Sequence, residues 1–557
     1  MKKLLFALLA IILIVILYLL FFFKKDASDP YKEFSWGKFS GTCPTEEAPN
    51  DKYGKDFHSC DYTVPKEEIP VFSKASFPFT NKYDGKNSLP LMGSAMIDVD
   101  GDGVDEVFMA GGIGQEDVLY KYDGDGFSAH GFALPTKPEG GKTLGAVSFD
   151  LDADGRTDLI VNGDYGVRWY KNTGSGFSAQ EIAIPLNDKT EAASITLGDI
   201  DKDGDADMFV SGYIKKDKME GQTIFKDYTY GGSSLLLLNN GDHSFTDVTE
   251  QYGLSYIHNT FMGILVDVDE DGYLDLVVAH DTGEVRTYKN QGGREFAKKT
   301  NPTTGKYAYP MGIAVGDYNN DGRVDFFFSN TGSSVPAFMA RGDLDKEDEF
   351  VSDWLLFRND GDFRFTDAAK ETKVADFEFS WGAIFEDFNL DGRQDLVVSE
   401  NYVAFPPHKL FKLPGRFLVQ RADGTFAAVE DQAKVINKNY GITPLTADFN
   451  LDGYPDLVFT NISGKIQAHV NRGGEANHIA YRIPETAPYV GAKVTVTRND
   501  GTQLSDVYVI GEGLASDQTS RLTFGLGPDA SIKAATVTLI SGETRNLPTQ
   551  INKTHKL

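Results

Sequence analysis

The sequence predicts an all-β protein: a seven-bladed β-propeller followed by a small β domain and preceded by an N-terminal transmembrane helix. Three observations carry this prediction. A nine-residue Asp-rich loop recurs seven times, beginning at Asp98, Asp150, Asp199, Asp267, Asp317, Asp387 and Asp448. Successive starts lie 52, 49, 68, 50, 70 and 61 residues apart, room for about four short strands per unit. Each loop runs into an apolar stretch, Leu276-Val277-Val278 in the fourth copy, and such a run reads as a strand.

Within each loop, oxygen-bearing side chains stand at positions one, three, five and nine, and glycine stands at position six. That spacing lets oxygens from both arms of a sharp turn converge on one hard cation. The predicted ligands are Asp98, Asp100, Asp102 and Glu106 in loop one; Asp150, Asp152, Asp154 and Asp158 in loop two; Asp199, Asp201, Asp203 and Asp207 in loop three; and Asp267, Asp269, Asp271 and Asp275 in loop four. Loops five to seven contribute Asp317, Asn319, Asp321 and Asp325; Asp387, Asn389, Asp391 and Asp395; and Asp448, Asn450, Asp452 and Asp456. Asparagine at position three keeps a carbonyl oxygen but loses a charge. An EF-hand needs a glutamate at position twelve and a following helix; here position twelve is Met109, Val161, Val210, Val278, Phe328, Val398 or Phe459.

The formal net charge of -28 excludes a nucleic-acid partner as a first reading. Twenty-eight acidic residues fall inside the seven loops, so up to seven Ca²⁺ would offset half of the imbalance. Without metal the clustered carboxylates repel, and folding is expected to depend on calcium.

Taken in order, Lys2 and Lys3 precede twenty apolar residues, 4–23, and Lys24 and Lys25 follow. A helix of that length spans about 30 Å of hydrocarbon, so residues 1–25 are expected to anchor the chain in a membrane. Residues 26–66 read as a linker or cap holding Cys43 and Cys60, two free thiols in a reducing compartment or a disulfide in an oxidising one. With the anchor in a membrane, the calcium loops and the possible Cys43–Cys60 disulfide predict that the bulk of the chain is extracytoplasmic, periplasmic or at the cell surface. The propeller is expected over 67–474. Its units carry an Asn-x-Gly turn before a Phe-led fourth strand, as at Asn172, Gly174 and Phe177 or Asn359, Gly361 and Phe363. The last unit lacks a fourth strand before the composition changes at about residue 475. An open edge exposes backbone groups, so residues 68–77 are expected to supply the missing strand. Alternating stretches at 492–497, 506–510 and 534–540 make 475–557 a small β domain.

The loops and the strands that follow them resemble FG-GAP repeats, the units of the integrin alpha-chain propeller. The tail resembles the ASPIC/UnbV domain that follows such repeats in the cartilage acidic protein family. It matches at Asn471-Arg472-Gly473-Gly474, Val490-Gly491-Ala492-Lys493-Val494, Gly511-Glu512-Gly513 and Leu522-Thr523-Phe524-Gly525-Leu526-Gly527. The resemblance implies seven blades, calcium on one face, and a role in adhesion or recognition outside the cell. It supplies no activity for the tail.

No catalytic constellation stands out: the nine histidines are scattered and no His-Glu-x-x-His or Gly-x-Ser-x-Gly motif occurs. Arg341-Gly342-Asp343 is a tripeptide that adhesion receptors read, although three residues match by chance in many chains. Residues entering the innermost strands lie on the face opposite the calcium loops, and several are aromatic or polar: Tyr256, His258, Tyr309, Phe379, Trp381 and Tyr440. They are a candidate face for a glycan or protein ligand, with packing between blades as the alternative. Ligand recognition is therefore the expected function. A calcium-dependent enzyme acting on extracellular polysaccharide and a structural component of an envelope assembly are the alternatives.

Overall fold

The computed structural model describes residues 61, 63–220, 225–332, 341–401, 413–462 and 464–557. Each Asp-rich loop joins the first and second strands of its own antiparallel sheet. Sheet two shows the pattern: Thr143–Phe149, Asp158–Gly163, Gly166–Asn172 and Phe177–Ile182 pair in simple sequence order. The first strand is buried at every residue and the fourth at only one. That gradient follows from position, because inner strands meet neighbours on all sides and the outermost strand forms the rim.

Close approach at the centre requires small residues. A Cβ placed on Gly93 of sheet one would stand 2.7 Å from the Gly145 carbonyl carbon of sheet two, and one on Gly382 of sheet six would meet Thr443 Oγ1 of sheet seven at 2.6 Å. Five of the first strands carry a register shift near their start, a bulge that bends the strand.

The expected closing strand is present. Phe72–Ala75 pairs antiparallel with Gln467–Asn471, the third strand of the last repeat, with Phe72 opposite Asn471. Phe72 is buried and its ring stands 5.9 Å from Phe388 and 5.6 Å from Phe417, both of sheet six. The first described strand thus completes the last repeat.

The tail forms two sheets. Asn477–Arg482 lies between Arg521–Gly527 and Thr554–Lys556, while Gln503–Val507, Lys493–Arg498, Ile532–Thr538 and Thr544–Asn546 make the second. The strand expected at 506–510 ends at Val507 instead. Beyond it the chain crosses the inner ends of the repeats, where Ile510 O accepts a bond from Thr196 Oγ1 and Ser516–Asp517 pairs in parallel with Ser94 and Ala95. Tail residues Val490, Ile510 and Phe524 share one apolar core with Leu197, Ile200 and Leu274 of the repeats.

The membrane anchor, and the extracytoplasmic placement that relied on it, are corrected: among the described residues no helix is long and apolar enough to cross a membrane. The apolar run 4–23 and the pair Cys43 and Cys60 lie outside the described residues.

Because Phe72 seats the closing strand, Phe72→Ala is expected to lower the unfolding free energy by about 3–5 kcal/mol, read from urea unfolding. A loss below about 0.5 kcal/mol, the size of an ordinary surface change, would contradict the closing role.

Candidate metal centres and the opposite face

The loops share one hydrogen-bond scheme, visible in loop four. Asp267 accepts the backbone N–H of Asp271 on Oδ1 at 3.1 Å and that of Gly272 on Oδ2 at 2.7 Å. Gly272 adopts φ 87°, a left-handed conformation that glycine takes without a Cβ clash. Asp275 at position nine accepts Val268 N–H on Oδ2 and Asn290 N–H on Oδ1, both at 2.8 Å. Positions one and nine therefore set the shape of the loop besides offering ligand oxygens.

Other oxygens lack any partner. Asp98 Oδ1, Asp152 Oδ1, Asp201 Oδ1, Asp205 Oδ1, Asp269 Oδ1 and Asp325 Oδ2 are buried with no hydrogen bond, which is costly for a carboxylate unless a cation is at hand. In loops one to four, carboxylate oxygens converge within 4.8 Å of one another: Asp98, Asp100 and Asp102; Asp150, Asp152 and Asp158; Asp199, Asp201 and Asp203; Asp267, Asp269 and Asp271. All-oxygen clusters of this kind fit a hard divalent ion. Asp205, at position seven of loop three, was missed by the position rule. Loops five to seven differ, because Asn319, Asn389 and Asn450 turn their amides toward Asp321, Asp391 and Asp452 at 2.9–3.0 Å. That contact removes an acceptor from the centre. Loop one also departs: Asp105 is held by Arg482 of the tail at 2.8 and 3.1 Å, leaving Glu106 for the loop.

A second role for the strand-end asparagine was not legible as a turn signal. Asn172 Nδ2 donates to Val99 O of loop one, Asn290 Nδ2 to Ile200 O of loop three, Asn359 Nδ2 to Val268 O of loop four and Asn471 Nδ2 to Phe388 O of loop six, at 2.8–2.9 Å. Gln420 does the same to Tyr318 O of loop five. Five of the seven repeats are thus stitched to the loop of the one before, whereas Asn239 of repeat three donates to Ala206 O of its own loop. The recurrence of Asn at that place was the available signal; its partner, 73 to 91 residues away, was not.

The tail covers the loop face. Arg521 Nη2 stands 3.1 Å from Asp448 Oδ2, Ser505 Oγ donates to Asp317 Oδ2 at 2.6 Å, Lys493 pairs with Glu270 at 2.6 Å, and Lys556 Nζ donates to Gly101 O at 3.0 Å. A cavity of about 340 Å³ between Asp267, Asp317, Lys493 and Asp506 lies along this seam.

On the opposite face the six candidate residues do not form one ring. Tyr309 and Trp381 are buried, and Trp381 Nε1 donates to Asn401 O at 2.8 Å; half-buried Phe379 leans on Trp381 at 5.6 Å, and Tyr440 is half-buried elsewhere. For Tyr309, Phe379 and Trp381 the packing alternative fits. Tyr256 bonds His280 Nε2 at 2.9 Å, and His258 stacks on His280 with ring centres 4.7 Å apart. Burial first, and then Arg286, push His258 down to about 4. Beside it opens a cleft of about 150 Å³ lined by Tyr228, Tyr230, Ile257, His258, Arg286 and Tyr307. Tyr228 is 77% exposed and Ile257 43%. Tyr228 lies in the connection between the second and third strands of sheet three, outside the positions that sequence reasoning searched. The Arg341-Gly342-Asp343 tripeptide is internally engaged, since Asp343 accepts the backbone N–H groups of Phe225 and Lys226 at 2.8 and 3.2 Å.

The FG-GAP-like repeat family matches residues 98–161, 150–210 and 267–328, and the ASPIC and UnbV family matches residues 484–557. The chain carries these repeats and this domain. Cartilage acidic protein 1 of Homo sapiens is 24% identical over 493 residues, 80% of this chain and 68% of that protein. Cartilage acidic protein 1 of Xenopus tropicalis is 22% identical over 406 residues, so this chain spans about 60% of the length of that relative. Among solved structures, the BP39L lectin from Burkholderia pseudomallei superposes with a TM-score of 0.43 at 11% identity, covering 70% of this chain and 98% of that one.

Burial, reinforced by neighbouring loop carboxylates, raises Asp207, Asp275 and Glu106 to about 8 and Asp199 and Asp267 to about 6. A carboxylate raised in the folded state holds its proton more tightly there than in the unfolded chain. Metal-free stability is therefore greatest at acid pH and is lost as pH climbs through those folded values. In a chelator the melting temperature should fall between about pH 5 and pH 8, whereas with calcium it should not, because the ion takes the place of the protons. A rising profile in chelator would contradict the assignment.

Proposed function

We propose that this chain, built of FG-GAP-like repeats and an ASPIC and UnbV domain, is a calcium-clamped propeller of seven blades that recognises a ligand. The blades span 67–474 and the tail domain 475–557. The loop oxygens hold up to seven Ca²⁺, and the ions make the ring rigid. The observation that carries the reading is the contrast between the two faces. The loop face is covered by the tail through Arg482, Arg521, Ser505 and Lys493, while the other face keeps an open aromatic cleft.

The cleft suits a saccharide. Exposed Tyr228 and Ile257 offer an apolar platform, and Asp227, Glu284 and Lys306 around it can bond hydroxyl groups.

The test is a glycan array probed with the chain and with Tyr228→Ala. Binding is expected to weaken by about tenfold or more with an unchanged melting temperature, since the side chain is exposed. Glycan binding that survives both Tyr228→Ala and Ile257→Ser would place recognition elsewhere. Silence on glycans with capture of a peptide at the same cleft would identify a protein ligand.

A further inference from the structure

The loops differ in one respect that the shared pattern conceals: two of them receive a lysine from the third strand of their own sheet. Lys171 sits on the third strand of sheet two and Lys289 on the third strand of sheet four, each one residue before the strand-end asparagine. Lys171 Nζ bonds Asp152 Oδ2 and stands 3.6 Å from Asp154 Oδ2. Lys289 Nζ bonds Asp269 Oδ2 and stands 2.8 Å from Asp271 Oδ2. In both loops the ammonium reaches positions three and five, the carboxylates with most freedom to hold an ion.

Alternation along a strand sends the asparagine toward the preceding repeat and the lysine the other way, so one strand end serves both the stitch and the loop. Aromatic rings steady the arms, Trp169 at 5.5 Å from Lys171 Nζ and Phe363 at 5.8 Å from Lys289 Nζ. The matching places elsewhere hold Leu238, Val419 and Val470, exposed Lys121, and Arg358, which bonds Asp360 and Glu371 instead. The fit of each arm is incomplete: Asp152 Oδ1 and Asp269 Oδ1 remain without a partner. Lys171, alongside Arg156 on Asp154, tempers the repulsion in loop two, and Lys289 tempers that in loop four, without saturating it. Loop three, with Asp201 Oδ1 and Asp205 Oδ1 both unpartnered, has no such substitute.

We propose that Lys171 and Lys289 are tethered counter-ions of loops two and four, so that these loops take up calcium only in competition with their own lysine and fill after loops one and three. This rests on the calcium reading of the loops. A tethered ammonium acts at an effective concentration in the millimolar range, and a divalent ion must displace it.

The experiment compares calcium isotherms of the full chain with those of the double variant Lys171→Met, Lys289→Met. Two of the wild-type sites should tighten by about tenfold or more in the variant, with the total count unchanged at saturation. Melting separates this role from simple packing: the variant should melt below the wild type in chelator and at or above it in saturating calcium. Lys289→Gln, which keeps length and polarity without the charge, should show the same opposed shifts. Superimposable isotherms with calcium bound, or melting shifts of the same sign in both conditions, would overturn the lysine role alone. Absence of calcium from both proteins would overturn the calcium reading and with it the competition.

Discussion

The structure depends on the concentration of like charge in its loops. Each repeat brings several carboxylates together at one end of its sheet, and the position-nine aspartate is buried at the start of the second strand. That residue is tolerable because two backbone N–H groups point at it, one from within the loop and one from the strand-end asparagine or glutamine. The same asparagine then reaches the previous repeat. Loop shape, sheet edge and, in five of the repeats, the joint to the preceding one thus meet at one carboxylate. Hydrogen bonds to a charged acceptor are among the stronger ones, but they do not remove the repulsion between positions one, three and five.

Neutralisation is achieved in more than one way. Loops two and four receive a lysine, loop seven receives Arg521 from the tail, and Arg156, Arg323 and Arg393 at position seven of loops two, five and six bond their own position-five aspartate. Loop three relies on none of these. On the calcium reading proposed above, loops so unequally compensated would load ions in an order. The tail enters this balance directly, because its arginines and serine touch loop aspartates and its segment beyond Val507 runs across the inner strands. The tail thus touches the acidic groups of the loops, while the open aromatic cleft lies on the opposite face.

Much of this was legible in the sequence. The repeat, its acidic positions and the strand following each loop rest on local spacing. The closing strand at Phe72–Ala75 followed from counting strands against the need to cover an edge. What was not legible involves partners distant in sequence. The bond from Asn359 to Val268 O spans 91 residues, and no local pattern announces it. Trp381 and Tyr309 stand where the chain enters inner strands, a place that local sequence leaves open between a ligand face and packing between blades, and both are buried. Tyr228 was overlooked because it lies in a connection between the second and third strands, away from the residues that enter the inner strands. Nor did the tail's own alternation show that it would sit on the acidic face; that follows from where Arg482 and Arg521 emerge.

The central claim, that divalent ions complete the loops, is tested most directly by native mass spectrometry of the purified chain exchanged into dilute calcium and then into a chelator. The account predicts several discrete calcium mass increments per chain that disappear together with the compact charge-state distribution in the chelator. A single mass without increments, and the same narrow distribution in both buffers, would contradict it.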